Sequence, residues 1–344
     1  MKIELKNLLS RKEFLVVAAF FSFLLAMLYF TFFTPNYYGG ISPKKFEISK
    51  GESFSDIVDS LYAQGIIPSK ISMKIAGFIY GVEKKVRAAR YQIPKGLSYL
   101  DLLDLFISGK ADFMRTVDIR DGLSIGWMAY TLKREVYVDS SDFVNLAANE
   151  IFVDSLGVGK TSLEGYLLSG TYEIYENSTA REVITKLYDG FRNFMNDTLK
   201  ARADSDGFSI HEVLTLASII KGETSLPEEM PRISGVYHNR LRRGMLLQAD
   251  PTIQYLLKDG WRRLLNKDLQ IDSPYNTYKY AGLPPGPINN PGKDAILAAL
   301  YPEDHKYLYF VADGNGGHKF SKTYSEHLRN VNKYRRWLRS QSKN

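Results

Sequence analysis

The sequence predicts an α+β fold in three parts: a single N-terminal transmembrane helix, a small α/β module, and a larger mixed α+β domain. Three observations carry that reading. A charge-free apolar run lies near the start, a strand–turn–helix pattern occurs twice, and the C-terminal half alternates apolar helical periods with Pro- and Gly-fixed polar loops. At about 150 residues per domain, 344 residues suffice for two domains with sizeable cores. With 44% of residues hydrophobic and 24% charged, the chain is not disordered. A slightly negative mean hydropathy excludes a polytopic membrane protein. The absence of cysteine excludes a disulfide framework, thiolate zinc sites, iron–sulfur clusters and a cysteine nucleophile.

The first element is the run from Phe14 to Phe33, in which Ser22 and Thr31 are the polar exceptions. Twenty helical residues at about 1.5 Å each span a hydrocarbon core of about 30 Å. A buried core helix would show a polar face, and a signal peptide would have a shorter apolar region and a small-residue cleavage site. The expectation is an uncleaved anchor. Lys2, Lys6, Arg11 and Lys12 before it outnumber Glu4 and Glu13. The positive-inside rule therefore predicts residues 1–13 as a cytoplasmic tail, 14–33 as the span and everything from Thr34 onward outside the cytoplasm. Of the net charge of +7, +5 then faces outward, where the large anionic partners are lipid head groups and wall polymer rather than nucleic acid. The same topology disarms the P-loop-like segment Asp154 to Thr161, which also has Asp154 where the pattern requires glycine.

After a linker at 34–43, residues 44–115 form the predicted small module. Gly51-Glu-Ser-Phe-Ser-Asp-Ile-Val-Asp-Ser-Leu61 lines up with Gly96-Leu-Ser-Tyr-Leu-Asp-Leu-Leu-Asp-Leu-Phe106, each preceded by a short alternating stretch and a Gly turn. Serine at each helix start is placed to cap it. A fainter third copy runs from Tyr172 through Ser178 to Leu187. The Gly-x-Ser-aromatic opening resembles the LysM-type sugar-binding module; an ordinary structural spacer is the alternative.

The larger domain is predicted over 116–340. Ser209-Ile-His-Glu212 is a capping box opening a helix that is apolar around most of its circumference and therefore buried. Gly222 reads as the breaker that ends it, which places Glu223 just beyond the helix. Partial burial and the negative end of the helix dipole both disfavour the ionised carboxylate there, so Glu223 suits a general acid. An exposed glutamate at a helix end is the competing reading. Downstream, Asn239 to Met245 closes a second helix begun near Pro231. It is followed by Leu247 to Tyr255, Ser273 to Tyr278, Gly282 to Ile288 and Tyr307 to His318, several of them polar or aromatic loop segments of the kind that carry binding residues.

Together with Leu214-Thr-Leu-Ala-Ser-Ile-Ile-Lys-Gly-Glu-Thr224, these segments resemble the endolytic murein transglycosylases, the YceG-like proteins. The glutamate of the family's Ala-Ser-Ile-x-x-x-Glu-Thr motif, its catalytic acid/base, falls on Glu223. One departure is visible. Relatives read Glu-Gly-Tyr-Leu-Phe-Pro-Asp-Thr-Tyr where this chain has Glu164-Gly-Tyr-Leu-Leu-Ser-Gly-Thr-Tyr172, so Ser169-Gly170 replaces Pro-Asp and the loop reads as structural.

The resemblance implies cleavage of the β-1,4 bond between N-acetylmuramic acid and N-acetylglucosamine in nascent glycan strands. The muramic C6 hydroxyl attacks its own C1, giving a 1,6-anhydro end. That internal nucleophile replaces the second carboxylate most glycosidases need, so one glutamate serves both proton transfers. Neither cofactor nor metal is expected, and the histidines show no ligand spacing. Gln248, Asp250, Tyr255, Asn276 and Tyr278 are candidates for sugar binding, each with a structural alternative: Asp250 as a helix cap, Tyr255 as core. Asn239 and Arg240 read as fixing a neighbouring loop. The expected partners are glycan strands, the membrane and enzymes of peptidoglycan synthesis. Two other functions stay open: a hydrolase pairing Glu223 with Asp250, and a non-catalytic wall-binding scaffold.

Overall fold

The computed structural model describes residues 10–82, 85–109, 111–257 and 262–341. The chain divides into two compact units, Met1–Arg115 and Thr116–Asn344.

In the first unit, Ser10 and Glu13 form a capping box that opens α1 (Arg11–Phe33). The segment Arg11–Phe30 has a mean hydropathy of 2.2 and none of it is buried. Phe14, Val16, Phe23 and Phe30 all point outward. Length and composition thus make α1 able to cross a bilayer. The expected tail residues Lys2, Glu4 and Lys6 lie outside the described residues.

Within residues 34–43, expected as a linker, two side chains pack into the unit while the other eight residues are exposed. Asn36 and Tyr38 are buried. Asn36 exchanges backbone hydrogen bonds with Gly96 and Leu97 and donates its amide to the Ile66 carbonyl. The reason is backbone satisfaction: once buried, these polar groups need partners.

β1 (Lys44–Ile48), α2 (Phe54–Ala63), α3 (Lys70–Tyr80), β2 (Ala89–Ile93), α4 (Tyr99–Ser108) and β3 (Ala111–Asp112) follow. The repeated strands pair antiparallel, with Phe46 opposite Tyr91, and β3 joins the other edge of β2. Both repeats carry the same start signal, a capping box of Ser53 with Asp56 and of Ser98 with Asp101. Strand alternation sends Phe46, Ile48, Tyr91 and Ile93 inward, where Tyr91 meets Phe106 edge to face at 5.0 Å. Each such side chain contributes about 1.5–3 kcal/mol on burial. The unit therefore has a core of its own.

β4 (Met114–Ile119) begins two residues before the second unit and leads there into α5 (Ile125–Val136), α6 (Ser140–Ala147) and α7 (Glu150–Ser155). The P-loop-like segment ends α7 and opens no helix, unlike a phosphate cradle. β5 (Gly170–Tyr175) pairs with β4, then α8 (Ala180–Phe194) begins. This is the third strand–helix copy, but its cap is Thr179 with Glu182 rather than Ser178, whose hydroxyl bonds the Tyr175 carbonyl.

α9 (Asp197–Ser205), α10 (Ile210–Glu223), α11 (Met230–Arg242) and α12 (Asp250–Leu256) come next. A single 3-10 turn, α13 (Lys293–Leu300), the hairpin β6 (Tyr309–Ala312) and β7 (His318–Ser321), and α14 (Tyr324–Gln341) complete the unit. α10 is its axle: every residue from Val213 to Ile220 is buried. Two of them are polar and both are satisfied. Thr215 donates to the His211 carbonyl, while Ser218 donates to Thr215 O and accepts from the Ile288 amide.

Candidate active site

Glu223 is the last residue of α10, not a residue beyond it. Gly222 does not break the helix. It lies within it because a Cβ there would meet Pro251 at 2.5 Å. The glycine lets the start of α12 close on the end of α10, which brings Asp250 to the same cavity as Glu223.

The Glu223 side chain is densely surrounded by protein yet keeps an edge open to a cavity of about 540 Å³. Its Oε1 accepts a 2.5 Å hydrogen bond from the hydroxyl of Tyr237, buried on α11. Among the described residues Oε2 makes no hydrogen bond. Burial raises the Glu223 pKa to about 8; the nearby Asp250 adds to the rise, while the Tyr237 hydrogen bond and Arg240 oppose it. The helix dipole invoked from sequence is not needed. At neutral pH the group is a carboxylic acid with Oε1 anchored and Oε2 unpartnered.

Three segments from distant parts of the chain wall the cavity. The first is α11, through Tyr237 and Arg240. Burial lowers the pKa of Arg240, whose guanidinium bonds the carbonyls of Leu246, Leu247 and Leu308 and Gln248 Oε1. It fixes the loop, as its position suggested. The second wall carries Gln248, Asp250 and Tyr278. Gln248 has φ +50°, a left-handed conformation costly for a residue with a side chain, stabilised here by its amide donating to the Thr277 carbonyl at 3.0 Å. Ala249, not Asp250, occupies the cap position of α12, and Asp250 accepts a hydrogen bond from the Tyr278 hydroxyl. The third wall is the hairpin and α14, with Tyr309, Phe310, His318, Tyr324, His327 and Tyr334.

Of the residues singled out from sequence, Glu223, Gln248, Asp250 and Tyr278 therefore meet in one cavity. Two do not line it. Asn276 is fully buried: its amide donates to the Leu269 and Ile271 carbonyls, and its Oδ1 accepts from the Tyr278 backbone N–H. It positions Tyr278. Tyr255 packs against the Tyr275 ring at 5.0 Å with 42% of its surface exposed, so it is neither core nor cavity wall.

Sequence reasoning missed Tyr237 and the whole α14 wall. For α14 a signal existed, because Tyr324, His327 and Tyr334 share one face at helical spacing. For Tyr237 none did; its role depends on how α11 crosses α10. Among the described residues, no group of three or more His, Asp or Glu side chains is placed to hold a metal ion. Chemically, the arrangement offers a protonated acid with one free oxygen, a second carboxylate and several aromatic faces suited to sugar rings.

Comparison with known proteins gives the chain its relatives. An endolytic murein transglycosylase of Bacillus subtilis is 33% identical over 308 residues, covering 83% of each chain. One of Streptococcus pneumoniae is 29% identical over 324 residues, which are 83% of this chain and 57% of the relative. A crystal structure of a YceG-like protein from Listeria monocytogenes superposes with a TM-score of 0.59 at 30% identity, covering 83% of this chain and 98% of that one. The sequence profile of the YceG-like family matches residues 46–333, and the chain belongs to that family.

Proposed function

We propose that the chain is a membrane-anchored lytic transglycosylase that cuts the β-1,4 bond between N-acetylmuramic acid and N-acetylglucosamine inside nascent glycan strands. The observation that carries this reading is the protonated, half-enclosed Glu223 at the edge of the cavity. The names of the relatives support it.

In this mechanism Glu223 Oε2–H protonates the departing O4 as the C1–O4 bond breaks. The carboxylate then accepts the proton of the muramic C6 hydroxyl as O6 closes on C1. The products are a 1,6-anhydro end and a new non-reducing end, and Glu223 is restored to its acid form. Tyr237 steadies Oε1 throughout. A carboxylate whose pKa is raised to about 8 both keeps its proton before reaction and is basic enough to reclaim one afterwards.

α1 is the proposed anchor, with the N-terminus cytoplasmic and the catalytic unit outside. The first unit is proposed to hold sugar in the LysM manner, a reading that rests on its two capped repeats. Enzymes of peptidoglycan synthesis are the proposed protein partners.

A second reading is favoured by one observation: Asp250 shares the cavity and could activate water, making the enzyme a hydrolase. Mass analysis of digested nascent glycan separates them, since anhydro ends are lighter by one water than reducing ends. Anhydro ends from wild type and no cleavage by Glu223→Gln are expected. Reducing ends alone would overturn the lyase reading, and no cleavage by either protein would favour a scaffold.

A further inference from the structure

Across the cavity from α10, β7 places a histidine whose ring is fixed on one side. Glu229, at the cap position of α11, binds His318 twice: Oε1 accepts from the His318 backbone N–H at 2.8 Å, and Oε2 pairs with Nδ1 at 2.7 Å. Both side chains are nearly buried, at 13% and 15% exposure. Gly317 makes the approach possible, because a Cβ there would come within 2.8 Å of Glu229 Oε1. Phe310 packs edge to face on the imidazole at 5.3 Å, and in turn on Tyr237 at 5.9 Å. A carboxylate is an acceptor only, so Nδ1 carries the hydrogen. In the neutral ring Nε2 is then a bare lone pair. It makes no hydrogen bond among the described residues, and His318 lines the cavity that contains Glu223.

We propose that His318 is a substrate-binding residue: Glu229 locks its ring in the Nδ1–H form, and Nε2 accepts a hydrogen bond from an N–H or O–H donor of the amino sugar bound beside Glu223. Glu229 is a positioning residue. The proposal uses neither of the proton transfers assigned to Glu223 and rests on the proposed reaction only for the identity of the ligand. The chemistry is selective because an acceptor-only nitrogen favours a donor-only group, and the acetamido N–H of these sugars is one. α11 thus orients both sides of the site, His318 from its start and Glu223 from Tyr237 further along.

The test uses the full chain in detergent with nascent uncrosslinked glycan, reading anhydro ends. His318→Gln and His318→Phe are expected to lower kcat/KM about 10- to 100-fold. Glu229→Gln keeps the imidazole but offers Nδ1 a donor, which moves the ring hydrogen to Nε2 and removes the acceptor. It is expected to cost as much as His318→Gln, and the double variant no more than either alone. Nitrogen-15 spectra of labelled histidine, assigned by difference from His318→Gln, should show the Nδ1–H form in wild type and its loss in Glu229→Gln. A wild-type ring protonated on Nε2 would overturn the proposal. So would variants that keep their folded far-UV spectrum and stay within twofold of wild-type kcat/KM. Wild type and Glu223→Gln run alongside: if wild type makes no anhydro ends, the proposed reaction fails, and sugar binding measured by calorimetry with chitooligosaccharide, weakened in His318→Gln or unchanged, decides the histidine separately.

Discussion

Two glutamates in the second unit have their pKa raised by the same cause, and only one lines the cavity. Burial raises Glu223 to about 8 and Glu164 to about 7. Glu223 has one oxygen held by Tyr237 and the other unpartnered beside a cavity. Glu164 instead receives the Ile125 backbone N–H on both oxygens at 3.2 Å and the Asn290 amide on Oε1 at 2.8 Å. Asn290 also accepts from the Gly165 and Leu167 amides and donates to the Leu123 carbonyl. Glu164 is a knot joining three chain segments. It does not line the cavity of Glu223. A raised pKa therefore identifies buried carboxyls; what sets the proposed acid apart is an oxygen without a partner among the described residues, beside a cavity.

The largest test of this difference is a paired substitution. Glu223→Gln is expected to reduce the yield of anhydro ends by about a thousandfold or more, whereas Glu164→Gln should stay within about threefold of wild type, both read by mass spectrometry of digests. Equal losses would erase the distinction.

Next is Tyr237→Phe, which removes the hydrogen bond holding the Glu223 pKa down. On the proposed mechanism wild-type activity needs protonated Glu223 and should fall as pH rises past about 8. In Tyr237→Phe that alkaline limb should move to higher pH, with kcat lower by about tenfold, in a pH–rate profile.

Gly222→Ala leaves both glutamates intact but forces Pro251 away. It is expected to cost about 1–3 kcal/mol in denaturant unfolding and to lower activity severalfold by shifting Asp250.

The last test is of stability against pH. Each folded carboxyl holds a proton that the unfolded chain loses near the ordinary value of 4.5, so wild-type stability falls as pH rises from there to about 7 for Glu164 and about 8 for Glu223. Replacing either by Gln should flatten its part of that fall. In thermal scans the gain over wild type should level off near pH 7 for Glu164→Gln and near pH 8 for Glu223→Gln.

What was legible in the sequence follows a physical divide. Local signals were readable: the serine caps at Ser53, Ser98 and Ser209, the apolar α1 and the buried helix that carries Glu223. Such features depend on residues a few positions apart. The misreadings concern contacts between distant segments. Gly222 looked like a breaker because its reason, Pro251, lies on another helix. Asn276 looked like a sugar ligand because its partners are backbone carbonyls, which no side-chain pattern reveals. His318 stood in a segment recognised as a loop of interest, but its partner Glu229 sits at the start of α11, beyond any motif spacing.

The walls of the cavity have a consequence for how the protein comes into being. α10 is synthesised before α11, the Gln248–Tyr278 segment, the hairpin and α14. Tyr237, Arg240 and Asp250, the groups that act on the Glu223 carboxyl, all lie on those later segments, and before the chain folds the side chain is an ordinary carboxylate, ionised at neutral pH. The proposed acid is therefore latent in the growing chain and armed by the completed fold.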